Sequence, residues 1–529
     1  MNQVNTFFDF ILSHQNEILE QTLEHISLTV IALTISVLIG LPLGILLTRR
    51  KKLASPVLGV VGIIQTIPSV ALLGFLLPLL GIGVVPAIVA LFLYALLPII
   101  RNTFTGIEEV DPSVKEAAQG MGMTNTQILG KIELPLAVPV IFAGIRTATV
   151  INVGIATLCA LIASGGLGEF IFRGIALNNM NMILAGAIPA AVLALLLDSV
   201  LSILQKFIRK IIKPFLFLSV IFVFIVVPLL VLPSFIGSSF RAGFTAEFME
   251  RADGYPGLKR IYQFEIDTVE LDPGLMYTAL KNRRVDVICG FSTDGRIKAY
   301  DFKILEDDKN YFPPYQAVPL IRGETLRKYP ILRDIFAKFK GKITDEQMAE
   351  LNYRVDRIKE SPSKVARDFL EQMGFQIPKR SGKGADIIIG AKNFTEQFIL
   401  AHLFAYLIES YSSLKADLKT GLAGTKICFD ALKSGQIDLY PEYTGTGLLA
   451  ILDVDEHTRK SLMNDEQKIF DFVREESKKK YDLEWIHPLG FSNSYALMMR
   501  KKQAEKLNIK TITDLKSYIE NQKATEDRN

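Results

Sequence analysis

The chain has 529 residues, of which 49% are hydrophobic and 22% charged, and its net charge is +4. This length is too great for one domain, so two or three are expected. The small net charge argues against a nucleic-acid partner, and the five histidines lack metal-ligand spacing. We therefore expect neither nucleic-acid binding nor a metal site.

The hydrophobic residues are concentrated in the first part of the chain. Residues from about 20 to 236 hold nearly all the long apolar runs, whereas residues 240–529 resemble an ordinary soluble protein in composition. A membrane span needs about 20 apolar residues. Six spans are predicted, roughly at Leu23–Leu47, Leu58–Leu80, Val84–Ile100, Val138–Leu161, Met182–Leu204 and Pro214–Ile236. The stretch before them lacks the pattern of a removable signal peptide, so none is expected.

Basic residues beside the spans predict the orientation. Arg49–Lys52 follows the first span, which places that end in the cytoplasm and the N-terminus outside. Alternation then makes the loop Arg101–Pro135 cytoplasmic, and Lys206–Lys213 after the fifth span agrees. The sixth span, a run without charge, is predicted to be a lipid-facing tether. Everything beyond Gly237 is therefore predicted to lie outside the cytoplasm.

Two further features of this half bear on packing. Several spans are rich in Gly and Ala, which is typical of closely packed membrane helices. Asp198 lies deep in the fifth span, and for an intramembrane carboxylate a functional role is the default hypothesis. Its position near the cytoplasmic end favours a structural pair with Arg or Lys over a substrate role. Cys159, Cys289 and Cys428 lie in apolar contexts and are predicted to be buried packing residues.

The cytoplasmic loop has the most specific pattern in the chain. Its small and apolar residues predict a short amphipathic helix, a turn at Gly122 and a second apolar segment. Glu116-Ala117-Ala118 is followed after three residues by Gly122, after nine more by Ile132, and after one more by Leu134-Pro135. This spacing resembles the coupling-loop motif of ABC importer permeases at every position.

That resemblance implies the partners of this half. It implies a permease domain at 1–213 with its coupling loop at 103–137, followed by a sixth span and tether at 214–237. It also implies a homodimer in the lipid bilayer that docks two cytoplasmic ABC ATPases. The chain has no Gly-x4-Gly-Lys-Ser/Thr phosphate loop, so ATP is expected to bind to a separate subunit. We expect a transporter subunit without cofactors or catalytic residues.

The polar half alternates β-branched runs with amphipathic helices, which predicts α/β lobes. Phe429–Leu439 is similar to Tyr277–Val287, and each reads as a helix, a turn and a strand. Two similar lobes are what a protein that binds its ligand in a cleft requires.

Five segments of this half resemble periplasmic substrate-binding proteins for betaines, choline and related quaternary ammonium compounds. They are Gly390–Gln397, Gly421–Thr425, Tyr440–Thr446, Phe291–Arg296 and Tyr311–Tyr315. The resemblance implies a multi-domain fold: an all-α transmembrane permease domain plus an α/β two-lobed periplasmic binding protein. It also implies a multi-pass protein of the cytoplasmic membrane.

The order of these segments departs from that family. There, the segment beginning at Ile387 comes first, and the segment beginning at Phe240 follows what is here the C-terminus. The binding domain is therefore predicted to be circularly permuted, with its second part at 240–380 and its first part at 381–529.

The resemblance also implies which residues face the ligand. Aromatic rings hold a trimethylammonium group by cation–π attraction, roughly 0.5–2 kcal/mol per favourable ring. Each ring is as consistent with core packing as with ligand contact, and acids such as Glu442 and Asp294 could equally form structural pairs. The candidates are Asn393, Phe394, Thr395, Glu396, Gln397, Thr425, Tyr440, Glu442, Tyr443, Thr444, Phe491, Asn493, Tyr495, Arg241, Phe244, Asp294, Arg296, Tyr311, Phe312 and Tyr315.

The identity of the ligand remains open among betaines. Choline binders of this family carry an acid just before the Gly-Thr of the second ligand loop, whereas here Leu422-Ala423 stands there. The fused layout most resembles ergothioneine importers, and ergothioneine is a trimethylated histidine betaine with a flat thione ring. We therefore favour ergothioneine over glycine betaine, choline or carnitine. A membrane-tethered ligand sensor is the alternative from another class.

Overall fold

The computed structural model describes residues 7–210, 240–251, 253–377, 385–462 and 465–526. The chain divides into two compact units, the first within residues 7–210 and the second within residues 240–526, apart from residues 175–178. The sixth predicted span, Pro214–Ile236, lies outside the described residues, so its role as a tether stays a prediction.

The first unit is helical. Its elements in chain order are α1 (Phe7–Ser13), α2 (Gln15–Arg49), α3 (Lys51–Thr66), α4 (Ser69–Leu80), α5 (Val84–Glu108), α6 (Pro112–Gly120), α7 (Asn125–Ile128), a π-helical turn (Leu129–Glu133), α8 (Leu134–Cys159), a 3-10 turn (Ala160–Ile162), α9 (Gly168–Ala176) and α10 (Met180–Lys210). Four described stretches are long and apolar enough to cross a membrane: Gln15–Arg49, Val84–Glu108, Asn125–Ile162 and Met180–Lys206. They confirm the first, third, fourth and fifth predicted spans.

The second predicted span, Leu58–Leu80, is present as a bent pair of helices. The pair consists of α3 and α4, bent by 97° across a break at Ile67 and Pro68. Pro68 has no backbone N–H to donate, and it disfavours the helical conformation of the residue before it. Ile67 is accordingly extended, with φ −66° and ψ 127°.

The bent pair nevertheless carries the chain back across the unit. Lys51 Nζ lies 2.6 Å from Glu108 Oε2 at the end of α5, and Arg49 Nη1 lies 3.3 Å from Glu133 Oε1 just before α8. The C-terminal ends of α2 and α5 and the N-terminal end of α8 therefore lie at one end of the bundle. Since α2 and α5 run in the same direction, α3 and α4 must return the chain to the opposite end, as the predicted alternation requires.

Small residues set the packing of the long helices. A Cβ at Gly44 of α2 would lie 2.6 Å from the Cβ of Thr103 on α5, and one at Gly144 of α8 would lie 2.6 Å from the carbonyl oxygen of Pro98. Only glycine allows backbones to approach so closely, which confirms the predicted tight packing. Asp198 on α10 accepts two hydrogen bonds of 2.7 Å from Arg146 on α8, which confirms the predicted structural pair.

The second unit is an α/β structure. Its helices are α11 (Ala246–Glu250), α12 (Tyr255–Tyr262), α13 (Met276–Lys281), α14 (Arg296–Ala299), α15 (Gly323–Lys328), α16 (Ile331–Ala337), α17 (Asp345–Asp356), α18 (Pro362–Gln372), α19 (Thr395–Tyr411), α20 (Thr425–Lys433), α21 (Thr444–Thr446), a π-helical turn (Gly447–Ile451), α22 (Glu456–Leu462), α23 (Glu466–Tyr481), α24 (Lys501–Lys506) and α25 (Ile512–Glu526). Its strands are β1 (Arg241–Phe244), β2 (Asp267–Glu270), β3 (Val287–Phe291), β4 (Phe302–Ile304), β5 (Ala317–Arg322), β6 (Ile387–Lys392), β7 (Ala416–Leu422), β8 (Leu439–Tyr443), β9 (Leu483–Trp485) and β10 (Tyr495–Arg500).

The strands form two five-stranded sheets with the same plan, one in each lobe. The first lobe has the order β2-β1-β3-β10-β4 and the second lobe has β7-β6-β8-β5-β9. In each sheet three neighbouring strands are parallel and the next one is antiparallel. The two similar sequence segments fall at equivalent places, α13 with β3 and α20 with β8, so the predicted pair of α/β lobes is confirmed.

Each lobe borrows one strand from the other half of the unit. β5 follows β4 of the first lobe but pairs with β8 in the second, and β10 follows β9 of the second lobe but pairs with β3 in the first. The two crossovers, 305–316 and 486–494, therefore join the lobes. The ring of Phe240 lies 5.1 Å from that of Tyr518 on α25, so the start of the unit packs beside its last helix. This proximity is what a permuted order needs, although the permutation itself stays a prediction.

Reordering the halves tests the permutation. A full chain in which residues 378–529 precede residues 240–377 keeps every strand pairing, because Asn529 then leads into Phe240. We expect its binding unit to unfold cooperatively, within about 1–2 kcal/mol of the native free energy of unfolding, since only connection lengths change. Trp485 is the single tryptophan of the chain and is buried in this unit, so its fluorescence reports the transition. Loss of a cooperative transition would contradict the permuted order.

Candidate ligand-binding cleft and coupling loop

The loop between α5 and α8 of the first unit forms two short capped helices. Asp111 caps α6 by accepting a 2.9 Å hydrogen bond from Ser113 N, and Pro112 occupies the first turn. Gly122 then has φ +79°, a left-handed conformation that glycine adopts without steric cost. Thr124 and Gln127 form a capping box at the start of α7. The predicted order of helix, turn and second segment is confirmed.

The coupling-motif residues divide into an exposed and a buried set. Glu116, Ala117 and Gly122 are exposed, and Met121 beside them has 74% of its surface accessible. Ala118 is buried, whereas Ile132, Leu134 and Pro135 are half-buried where the chain enters α8. The loop thus presents a small, partly apolar surface to a partner and attaches its other residues to the helices.

The second unit brings aromatic rings from both lobes together. Phe291 of the first lobe stacks on Phe394 of the second, with ring centroids 5.1 Å apart and planes 14° apart. Tyr495 extends the stack at 5.5 Å from Phe291, and Tyr443 extends it at 6.5 Å from Phe394. We call these four rings the aromatic row. Phe291 and Tyr443 end β3 and β8, and Phe394 lies two residues beyond the end of β6. The row therefore lies beyond the carboxyl ends of these strands, which is where α/β sheets bind ligands.

A buried carboxylate lies beside the aromatic row. Glu396 is 2% exposed, and its two oxygens accept hydrogen bonds from Thr293 Oγ1 at 2.5 Å, Asn352 Nδ2 at 3.1 Å, Tyr443 Oη at 2.6 Å and Asn493 Nδ2 at 2.9 Å. Burial raises the pKa of Glu396, while the four hydrogen bonds oppose that rise. Because Thr293 belongs to the first lobe and Glu396 to the second, the hydrogen bond between them joins the two lobes across the cleft.

Glu442 and Tyr440 belong to a different buried group. Lys392 Nζ donates to Glu442 Oε1 at 2.6 Å, and Tyr440 Oη donates to Glu442 Oε2 at 3.0 Å. Alternate residues of β8 point to opposite faces of the sheet. Tyr440 therefore packs with Trp485 in the second lobe's core, on the face opposite to Tyr443.

Two buried arginines pair with neighbouring acids in the first lobe. Arg251 binds Asp253 through bonds of 2.8 Å and 2.5 Å, and Tyr315 Oη donates a further 2.5 Å bond to Asp253. Burial alone would raise the pKa of Asp253, but the charge of Arg251 and these bonds outweigh it and lower that pKa. Arg296 likewise binds Asp294, at 2.9 Å and 2.7 Å. Neither guanidinium is left as an unpaired charge.

A small cavity between the lobes gathers six of the predicted candidates. Its lining consists of Phe394, Thr395, Glu396, Asn493, Asp294 and Arg296 together with Pro273, Phe291, Thr293 and Asn352. Tyr443 and Tyr495 adjoin it through the aromatic row, and Phe312 and Tyr315 have ring centroids 6.2 Å and 5.7 Å from that of Tyr495.

The remaining candidates lie elsewhere in the second unit. Arg241 begins β1, at the end of the strand away from the cleft, where its backbone N–H donates to Asp286. Gln397 donates to the carbonyl of Pro441, and Tyr311 donates to the carbonyl of Gly254. Thr444 donates to the carbonyl of Pro314 at 3.3 Å. The others lie as follows: Asn393 is exposed, Phe244 and Phe491 are buried in the main core, and Thr425 begins α20.

Several residues of the site escaped the sequence analysis. Phe291 and Thr293 lie inside the segment Phe291–Arg296, and Lys392 lies inside the segment Gly390–Gln397, directly before the candidate Asn393. None of these three residues was among the candidates. Asn352 lies on α17, far from any ligand loop in sequence, and no local pattern distinguishes it. Arg251 and Asp253 stand close together in the stretch Phe248 to Tyr255, but Glu250 is also charged, so no local pattern singles out the pair.

The raised pKa of Glu396 predicts a pH dependence of stability. Between the ordinary glutamate pKa, about 4.3, and the raised folded value, the folded state keeps a proton that the unfolded state releases. The Glu396 contribution to the free energy of unfolding should therefore fall as pH rises through that window. Denaturant unfolding of the full native chain and of Glu396→Gln, followed by Trp485 fluorescence at several pH values, measures this contribution. The free energy of unfolding of the native chain minus that of Glu396→Gln should decrease as the pH rises.

Glu505→Gln, at an exposed position of the same unit, is the control. Its free energy of unfolding relative to the native chain should not show this decrease with pH. A Glu396→Gln difference that stays constant with pH would contradict the assigned direction.

Comparison with known proteins agrees with both units. Residues 233–372 and 385–528 match the family described as the substrate binding domain of ABC-type glycine betaine transport systems. Residues 40–214 match the binding-protein-dependent transport system inner membrane component. Because the first of these matches covers more than half of the chain, it shows the family.

Individual relatives fall into two groups. The choline transport system permease protein OpuBB of Bacillus subtilis is 49% identical over 197 residues, 37% of this chain and 91% of the relative. The glycine betaine/carnitine/choline permease OpuCB of Bacillus subtilis is 46% identical over 206 residues, 39% of this chain and 94% of the relative. The ergothioneine transport permease/binding protein EgtU of Helicobacter pylori is 27% identical, over 63% of this chain and 86% of its own length.

All three relatives are transport subunits and not enzymes, and a permease of this kind works with a cytoplasmic ATPase. The chain belongs to the ABC-type glycine betaine transport family, and it joins the inner-membrane permease and the substrate-binding domain of a betaine-type importer in one polypeptide.

Proposed function

We propose that the cargo of this importer is a trimethylammonium betaine carrying a flat heterocycle, and that ergothioneine fits best. The binding unit receives the ligand outside the cytoplasm, and a homodimer of permease units is driven by two ATPases. The basic flank Arg49–Lys52 supports this orientation.

One observation carries the choice of ligand. The cavity beside the aromatic row is lined by Asn352 and Asn493, and the Oδ1 atom of each is buried with no hydrogen-bond partner among the residues that the structure describes. Their Nδ2 atoms are committed to Glu396. Aromatic faces and two buried amide oxygens without partners therefore lie together at the closed cleft, whose cavity of about 10 Å³ would admit the ligand only after the lobes part.

This combination matches a cation joined to an N–H donor. The trimethylammonium group is attracted to ring faces, and the N–H groups of an imidazole-thione ring can donate to the amide oxygens. Glycine betaine has no donor, so it would leave both acceptors buried and unpaired, a cost of about 1–3 kcal/mol for each. A site built to hydrogen-bond an N–H group discriminates strongly against a ligand that lacks it.

The start of α20 forms a second contact between the lobes, away from the cavity. The backbone N–H of Thr425, at the start of α20 in the second lobe, donates a 2.6 Å hydrogen bond to Glu247 of the first lobe. A helix N-terminus favours such an anion. Because Glu247 already accepts from this N–H, a betaine carboxylate would bind there only by displacing Glu247.

The second candidate cargo is an osmoprotectant: glycine betaine, choline or carnitine. It is favoured by the described family and by the names of the permease relatives. Choline is the weakest of the three, since Leu422-Ala423 supplies no acid at the second ligand loop. A tethered sensor would not need the coupling loop.

Titration calorimetry on the full chain in detergent discriminates between these ligands. We expect ergothioneine to bind at least about tenfold more tightly than glycine betaine, a difference of about 1.4 kcal/mol. Asn493→Ala should reduce the ratio of the two affinities, because it removes one acceptor. Phe394→Leu should weaken the binding of both ligands. The exposed Asn282→Ala, at the end of α13, is the matched control. Tight binding of glycine betaine without ergothioneine binding would refute the preference.

Uptake by cells tests the coupling loop. A Cβ at Gly122 would meet no atom within 4 Å, but φ +79° is strained for any other residue. Gly122→Val should therefore distort the loop and abolish uptake of labelled ligand while leaving ligand binding intact. Gly120→Ala is the matched control, because Gly120 is helical and its Cβ space is equally open. Normal uptake by Gly122→Val would argue against an ATP-driven importer.

A further inference from the structure

A buried carboxylate lies at the junction between the coupling loop and the membrane helices. Glu133 is the last residue of the π-helical turn Leu129–Glu133, directly before α8, and its side chain is 4% exposed. Arg49, the last residue of α2, donates to it through both Nη atoms. Lys115, in α6 of the coupling loop, lies 3.8 Å from Glu133 Oε1. One desolvated acid therefore holds two cations from two other elements.

The same junction reaches a fourth element. Lys115 Nζ donates a 3.0 Å hydrogen bond to the carbonyl oxygen of Ile107, in the last turn of α5. The ends of α2 and α5, the coupling helix α6 and the start of α8 are thus connected through the side chains of Glu133 and Lys115. The motif positions Glu116 to Ala118 and Leu134-Pro135 flank these residues in sequence.

The backbone at this point is of an unusual kind. A π-helical turn contains an extra residue relative to an α-helix, and such turns occur frequently at functional sites. The turn separates α7 from α8, so its shape decides how the coupling loop is aligned with the membrane helix. Glu133 is the residue at which that turn ends.

We propose that Glu133 is a positioning residue that transmits movement of the coupling helix to α8 and α2 during the transport cycle. Separating the buried carboxylate from its cations is unfavourable, because the Glu133 carboxylate would be left without compensation away from water. A displacement of α6 by the ATPase therefore carries Lys115, Glu133 and the start of α8 together. Arg49 extends that displacement to α2. This role lies beyond ATPase docking and does not depend on which betaine is carried.

The matched control is an ion pair at the same end of the bundle. Lys51 and Glu108 are 2.6 Å apart, but their side chains are 70% and 31% exposed, and they join α3 to α5 without involving the coupling loop. An exposed pair is weakly coupled because water compensates its charges. Lys51→Gln removes a charge comparable to that removed by Glu133→Gln at a site outside the proposed connection.

Distance measurement between spin labels tests the proposal without any cargo. Leu136, near the start of α8, and Val85, at the opposite end of α5, are 55% and 53% exposed and suit labelling. The native cysteines Cys159, Cys289 and Cys428 are buried and do not compete. In the complex of the full chain with its ATPase, trapping with ATP and vanadate should shift the label distance in the native chain and in Lys51→Gln. The shift should be lost in Glu133→Gln.

Three results would overturn the proposal. The first is a change in label distance in Glu133→Gln as large as in the native chain. The second is a native chain in which nucleotide leaves the label distance unchanged. The third is failure of Glu133→Gln to bind the ATPase, which would make Glu133 an assembly residue. Glu133→Asp, which keeps the charge, should retain the shift. If Glu133→Asp behaves like Glu133→Gln, the carboxylate charge is not the connecting element.

Transport stoichiometry provides a readout that a merely structural role would not change. In proteoliposomes, labelled ergothioneine or glycine betaine imported per ATP hydrolysed should fall by about fivefold or more in Glu133→Gln, the lower end of typical coupling effects. ATP hydrolysis should continue. If the native chain imports neither compound, the proposed cargo fails while the label experiment still decides the role of Glu133.

Discussion

A carboxylate removed from water must be compensated, and this constraint organises both units. In the binding unit Glu396 accepts four hydrogen bonds, and Glu442 is held by Lys392 and Tyr440. In the permease unit Glu133 holds Arg49 and Lys115. A buried charge without partners would cost several kcal/mol, so each acid dictates which segments must meet around it. The acids are therefore found where separate elements join.

In the binding unit, the hydrogen bonds that compensate buried carboxylates are also bonds between the two lobes, so they form when the lobes close. Thr293 and Glu396 come from different lobes, as do Glu247 and the backbone N–H of Thr425. Opening the cleft would expose Glu396 to water and separate Phe291 from Phe394. The exchange of β5 and β10 between the lobes leaves two crossovers as connections, which is the geometry of a hinge. Ligand binding and lobe closure can thus stabilise each other through the same few residues.

The coupling loop shows how far local pattern extends. Asp111, Pro112, Gly122 and the Thr124–Gln127 box specify helix ends through contacts within a few residues, so spacing sufficed to predict helix, turn and second segment. The second predicted span is bent for an equally local reason, because Pro68 interrupts the helix and α3 and α4 meet at 97°. Glu133 carries no local signal, since its cations are 84 and 18 positions away in the chain.

The sequence by itself determined the two-part architecture, five of the six spans as apolar stretches within the described residues, the coupling motif and the two similar α/β lobes. These follow from hydropathy, periodicity and short motifs, which act over a few residues. Only the tertiary structure decided which candidates share a cavity. Tyr443 and Tyr440 lie three positions apart in one recognised segment, yet strand alternation turns one toward the aromatic row and the other into the core. Asn352 joins the site only because α17 packs beside α19, a contact between distant segments that no local pattern contains.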